Sequence, residues 1–123
     1  MSPRPLILLV DDDDAVLAFF GAKLSADYEL LSATSADAAL ALARERRPNL
    51  VLCDIELPGM DGGDLSAALF ADPATTELPF AFLTALVSPE DLKAQGQQLA
   101  GRAAISKQAP VPEILARIRA LLA

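Results

Sequence analysis

Apolar runs of strand length alternate along this chain with stretches whose apolar residues recur at helical spacing. Pro5–Val10 is an unbroken apolar run, the pattern of a strand covered on both faces. It ends abruptly at four acids, Asp11-Asp12-Asp13-Asp14. Beyond them Val16, Phe20 and Lys23-Leu24 fall at helical spacing, with Leu17 and Phe19 widening the stripe. A helix is therefore expected there, capped by Asp13 or Asp14 at its positive end. Tyr28–Ala33 reads as a second short strand. Thr34-Ser35 is placed to cap an alanine-rich helix from about Ala36 to Arg46, carrying Leu40 and Leu42, which Pro48 stops. Leu50–Asp54 is a third strand, and the chain after it breaks into a turn at Pro58-Gly59.

The alternation continues to the end. Asp64–Ala71 predicts a short helix with Leu65 and Leu69 at i, i+4, and Asp72-Pro73-Ala74-Thr75-Thr76 a loop. Pro79–Thr84 is a fourth strand that ends in a hydroxyl. Ser88-Pro89-Glu90-Asp91 starts a helix by a known mechanism: serine caps, proline takes the first helical position and acids fill the first turn. That helix, with Leu92 and Leu99, is expected to be exposed and marginal. Ala103–Ser106 is a fifth strand, followed by Lys107. Pro112 opens a last helix with Ile114, Leu115, Ile118, Leu121 and Leu122 on one face. Strands alternating with helices in this way predict βα units around a parallel sheet, an α/β fold.

A parallel sheet brings the C-terminal ends of all its strands to one edge, where ligands bind. Asp11 and Asp12 stand there after the first strand, Asp54 after the third, Thr84 at the end of the fourth and Lys107 after the fifth. Asp54 is a carboxylate at the end of a buried strand, which is costly unless its charge is used. Three carboxylates in one place repel unless a cation sits among them. Hard oxygen ligands of this kind suit Mg²⁺. A metal, a lysine and a hydroxyl around a free carboxylate make a phosphoryl-transfer site with Asp54 as in-line nucleophile.

Composition narrows the classes. One domain accounts for 123 residues with 53% hydrophobic and 22% charged positions, a globular and not a disordered balance. The net charge of −7 argues against direct nucleic-acid binding and fits a cation site or a basic protein partner. Histidine is absent, so any chemistry rests on carboxylates, hydroxyls and lysine. The single cysteine, Cys53, excludes an internal disulfide and suits a reducing compartment. No leader or membrane span is recognised, so a cytoplasmic location is expected.

These residues carry a resemblance. Leu9-Val10-Asp11-Asp12-Asp13, then Leu52-Cys53-Asp54-Ile55-Glu56-Leu57-Pro58-Gly59-Met60-Asp61-Gly62, then Phe82-Leu83-Thr84-Ala85, then Lys107 resemble the receiver domain of two-component response regulators, over essentially the whole chain. The resemblance implies a flavodoxin-like (βα)5 fold with strand order 2-1-3-4-5 and a single receiver domain over residues 1–123. It implies that Asp54 accepts phosphate from a phosphohistidine on a histidine kinase or phosphotransfer protein. It also implies Mg²⁺ held by Asp11, Asp12, Asp54 and the backbone carbonyl of Glu56, with Thr84 and Lys107 contacting the phosphoryl group. The signal would then pass by protein contact to a downstream target or fused domain, with no nucleic acid or membrane directly involved. Such a domain catalyses only its own phosphorylation and dephosphorylation.

Three departures from the family pattern fall near the C-terminal end. Gln108 follows Lys107 where the family has a proline in a cis peptide, so a trans bond and a rebuilt loop are expected. Ala104 stands where the family's switch aromatic lies. The segment from Gly101 to Lys107 is about one residue shorter than usual. Two other readings compete with the receiver: a binding adaptor of the same fold that signals without phosphorylation, and a phosphatase using Asp54 with Glu56 as acid.

Overall fold

The computed structural model describes residues 4–123. Its strands are β1 (Leu6–Val10), β2 (Glu29–Ala33), β3 (Leu50–Cys53), β4 (Phe80–Thr84), β5 (Gln98–Leu99) and β6 (Arg102–Ser106). Its helices are α1 (Asp14–Leu24), α2 (Ala36–Arg46), α3 (Gly62–Ala71), α4 (Pro89–Ala94) and α5 (Val111–Leu122). The sheet order is β2-β1-β3-β4-β6-β5. All pairings are parallel except β5 with β6. The expected doubly wound parallel sheet is present, and β6 holds the place of the fifth strand.

Alternate residues of the strands build two cores. Ile7, Leu9, Leu50, Leu52, Leu83 and Ile105 point to the face covered by α1 and α5, where they meet Phe20, Leu24, Ile114 and Ile118. Leu8, Val10, Val51, Cys53, Phe80 and Phe82 point to the other face, beneath α2, α3 and α4. Burial on both faces explains why these strands read as continuous apolar runs. On α2 the buried residues are Ala36, Ala39 and Ala43, small side chains that bring the helix close to the sheet, while Leu40 and Leu42 are only partly buried.

Helix starts follow the capping residues. Asp13 caps α1, Ser35 caps α2, and Ser88 caps α4 with Pro89 at its first position. Arg47 ends α2 in the left-handed conformation at φ 46°, just before Pro48. Phe19 departs from expectation: it is 46% exposed, set edge-on to Phe20 and covered by the Lys23 ammonium.

The largest correction concerns α4. A helix reaching Leu99 was the expectation, but α4 stops at Ala94, and Leu92 is buried rather than exposed. The stop has a local cause. The N–H of Gly96 donates to the Lys93 carbonyl and that of Gln97 to the Leu92 carbonyl, with Gly96 at φ 74°, which is a Schellman ending. The chain then turns back as β5, joined to β6 by Ala100 and Gly101 at φ 49° and 77°. Two left-handed residues in a row are what a two-residue hairpin needs. Leu92 and Leu99, seven apart, therefore lie on one side of the sheet without sharing a helix. No helix among the described residues is long and apolar enough to cross a membrane.

Candidate phosphoryl-transfer site

The pairing of β1 with β3 sets Val10 opposite Cys53, so the residues that follow, Asp11 and Asp54, leave the sheet side by side. Backbone bonds hold both: Asp54 N–H donates to the Val10 carbonyl at 2.9 Å and Asp11 N–H to the Ala33 carbonyl at 3.1 Å. Asp11 is buried, and its Oδ1 accepts the N–H of Asp13 at 2.9 Å. Asp12 is exposed and Asp54 half-buried, and carboxylate oxygens of Asp11, Asp12 and Asp54 lie within 4.8 Å of one another.

Lys107, leaving β6, reaches into this cluster. Its Nζ lies 2.6 Å from Asp11 Oδ2 and 3.3 Å from Asp54 Oδ2. Burial pulls its pKa down, but the hydrogen bond to Asp11 and the charge of Asp54 outweigh that, so it stands above the ordinary lysine value. Three carboxylates thus face one ammonium. The excess negative charge and the all-oxygen donor set fit a hard divalent cation, so the acidic pocket is capable of holding one.

Thr84 is wholly buried at the end of β4. Its Oγ1 accepts the N–H of Leu86 at 3.0 Å, and its carbonyl accepts the N–H of Lys107 at 2.7 Å. The hydroxyl still has a proton to donate. Glu56 is exposed beside the site. Cys53 is buried, and desolvation, then the charges of Asp54, Asp11 and Asp61, push its thiol pKa up against the opposing pull of Lys107, so it is an inert part of the core.

The loop from Asp54 to α3 is fixed at both ends. Gly59 turns it at φ 74°. Asp61 caps α3 in a reciprocal box with Asp64. Gly62 N–H donates to the Ile55 carbonyl at 2.8 Å, and a Cβ on Gly62 would fall 2.2 Å from the Asp54 carbonyl oxygen. Only glycine fits there.

After Lys107 the loop is indeed rebuilt. No cis peptide occurs among the described residues. Ser106 Oγ accepts the N–H of Gln108 at 3.1 Å, and Gln108 Nε2 donates to the Ala85 carbonyl at 2.9 Å. Ser106 was not singled out in the sequence, although a serine two residues before a free N–H is the signature of a hydroxyl-stabilised turn. Ala104 is fully buried opposite Phe82, with no aromatic at its place.

A match to the response regulator receiver domain family spans residues 7–119. The chain is 36% identical over 122 residues to response regulator PleD of Caulobacter vibrioides, covering 98% of this chain and 26% of that protein. It is 36% identical over 117 residues to the phosphate regulon transcriptional regulatory protein PhoB of Pseudomonas aeruginosa, covering 94% and 51%. It therefore spans about a quarter to a half of the length of these relatives. The BeF3-activated N-terminal receiver domain of Klebsiella pneumoniae RstA superposes with a TM-score of 0.79 at 30% identity, covering 95% of this chain and 97% of that one. The acid cluster at the C-terminal ends of β1 and β3, the lysine after β6 and these matches agree: the chain belongs to the response regulator receiver domain family.

Proposed function

We propose that Asp54 accepts a phosphoryl group from a phosphohistidine on a histidine kinase or phosphotransfer protein. The observation that carries this reading is the reach of Lys107 to both Asp11 and Asp54. It puts a cation beside a carboxylate that faces the open edge of the sheet.

In the transfer, an Asp54 carboxylate oxygen forms a bond to phosphorus. The bond from phosphorus to the donor's imidazole nitrogen breaks, and the imidazole leaves with that electron pair. Lys107 moves from its carboxylate partners towards the transferring oxygens and offsets their charge. Thr84 donates its hydroxyl proton to one of them. Asp11, Asp12, Asp54 and the backbone carbonyl of Glu56 would hold Mg²⁺, which when bound would offset charge on the phosphoryl oxygens. Water later attacks phosphorus, the bond from phosphorus to the Asp54 oxygen breaks, and inorganic phosphate leaves with the carboxylate restored, so the domain catalyses its own phosphorylation and dephosphorylation without other turnover.

The chain works as one receiver domain over residues 1–123, in the cytoplasm, and signals by contact with a downstream protein or a fused domain. Direct binding of nucleic acid or membrane is not part of this reading. The binding-only adaptor is not favoured, because the acid cluster and the lysine are both intact.

The position of the phosphate tests the reading. After incubation with acetyl phosphate and Mg²⁺, borohydride reduction converts an acyl phosphate on aspartate into homoserine. Homoserine is expected at position 54 in the tryptic peptide. Homoserine at position 11 or 12 instead would overturn the assignment.

A further inference from the structure

Two segments leave the sheet at its C-terminal edge beside the acid cluster: Thr84–Leu86, after β4, and Lys107-Gln108, after β6. Two consecutive bonds join them. Lys107 N–H donates to the Thr84 carbonyl at 2.7 Å, and the Gln108 side-chain amide donates to the Ala85 carbonyl at 2.9 Å. The first is backbone and continues the pairing of β4 with β6. The second depends on one side chain.

That side chain reaches from a fixed base. Ser106 Oγ holds the Gln108 N–H at 3.1 Å, and Ala109 N–H closes on the Ser106 carbonyl at 3.2 Å. The turn after β6 is thus set before the amide extends. On the other side, the carbonyl it holds belongs to the residue between Thr84 and Leu86. Leu86 N–H in turn holds the Thr84 hydroxyl at 3.0 Å. The orientation of that hydroxyl therefore depends on where Ala85 is held.

We propose that Gln108 is a positioning residue for phosphoryl uptake: its amide ties the Thr84–Leu86 turn to the Lys107 segment, so that hydroxyl and ammonium meet the phosphoryl group as one unit. This rests on Asp54 being the acceptor. Gln108 and Ala85 are both exposed, so the bond adds little to burial and water competes for it. Its consequence is geometric. Without it only the backbone bond at Thr84 ties the turn after β4 to the Lys107 segment, and Ala85 is free to swing outward. Lys107 would still bind its carboxylates. The loss should therefore appear in transfer to Asp54 and not in the affinity for cation.

The test measures the rate at which acetyl phosphate with Mg²⁺ loads the chain, read by intact mass. The variants are Gln108→Met, which keeps the length and removes the donor, Thr84→Val, and the pair. Gln108→Met is expected to slow loading about threefold or more, within the range of one lost hydrogen bond. The half-saturating Mg²⁺ concentration should not change. In the Thr84→Val background the same substitution should change the rate by less than about 1.5-fold, because the group being positioned is gone. An unchanged rate in the wild-type background, or an equal loss in both backgrounds, would overturn the proposal. The tether is also read without phosphate: Gln108→Met should speed amide hydrogen exchange at Leu86, and unchanged exchange overturns it. If wild-type takes up no phosphate, the acceptor reading and the positioning role of Gln108 in transfer fall together. Exchange at Leu86 then shows whether the tether itself exists.

Discussion

Gly62 lies so close beneath Asp54 that a Cβ on it would fall 2.2 Å from the Asp54 carbonyl oxygen and 3.0 Å from the Ile55 Cα. Both atoms belong to the backbone that carries the candidate acceptor, so neither yields as a side-chain tip would. Gly62→Ala should therefore act twice. Overpacking against backbone should cost about 1–3 kcal/mol of stability, read by urea denaturation. The displaced Asp54 should load phosphate more slowly even at temperatures where the variant stays folded. Gly63→Ala is the control, since its Cβ would meet only the Asp61 carboxylate at 3.3 Å.

Lys107 and a divalent cation bound in the acidic pocket would compete for the same carboxylates. Lys107→Met leaves Asp11 and Asp54 facing each other without the ammonium that now lies 2.6 and 3.3 Å away. In metal-free buffer its melting temperature should fall below that of the wild type. Added Mg²⁺ should raise it by more than it raises the wild type, because binding to the folded state stabilises by mass action. Asp12→Asn should shrink the Mg²⁺ effect. A Mg²⁺ response equal in all three chains would remove the cation from this site.

Arg102 joins β6 to α3. Its Nε donates to Ser66 Oγ at 2.8 Å, and its guanidinium lies 5.5 Å from the Phe70 ring centre and 5.7 Å from that of Phe80. A planar, forked cation makes these contacts and an ammonium does not. Both Arg102→Ala and Arg102→Lys should lose about 1–2 kcal/mol, read by chemical denaturation. Full stability in the lysine variant would show that charge alone suffices.

One pH dependence follows from Asp72. The Ala74 N–H and then the Arg44 guanidinium, 2.7 Å away, hold its carboxyl below the ordinary value of 3.8. Its contribution is complete above that value and is lost as pH falls through the lower folded value. Asp72→Asn keeps an acceptor for Ala74 and loses the charge. The gap in melting temperature between the two chains should be widest near neutral pH and close as pH falls below 3.8 through the lower folded value. Arg44 is largely exposed, so the gap is small and salt-sensitive.

What the sequence made legible is local or periodic. Apolar runs marked the central strands, and Ser35, Ser88 and Asp13 marked helix starts, because a cap acts within three residues of itself. The parallel sheet then gathered Asp11, Asp12, Asp54, Thr84 and Lys107 at one edge. The end of α4 was missed for a nearby reason. Leu92 and Leu99 satisfy a helical repeat that outweighs Gly96, the residue that ends the helix. Other contacts depend on the finished fold. Arg102 is 36 residues from Ser66 and Gln108 23 from Ala85, and no spacing rule links either pair. Thr75, whose hydroxyl donates to the Leu69 carbonyl at 2.7 Å at the end of α3, lies in a stretch whose sequence predicts only a loop.

Asp54 is proposed to take phosphate with the help of a cation. Intact mass after incubation with acetyl phosphate tests it most directly, run with and without Mg²⁺, on wild-type and on Asp54→Ala. One added phosphate per chain is expected, dependent on Mg²⁺ and absent from the variant. No addition to wild-type, under conditions that load another receiver domain, or addition that survives Asp54→Ala, would contradict it.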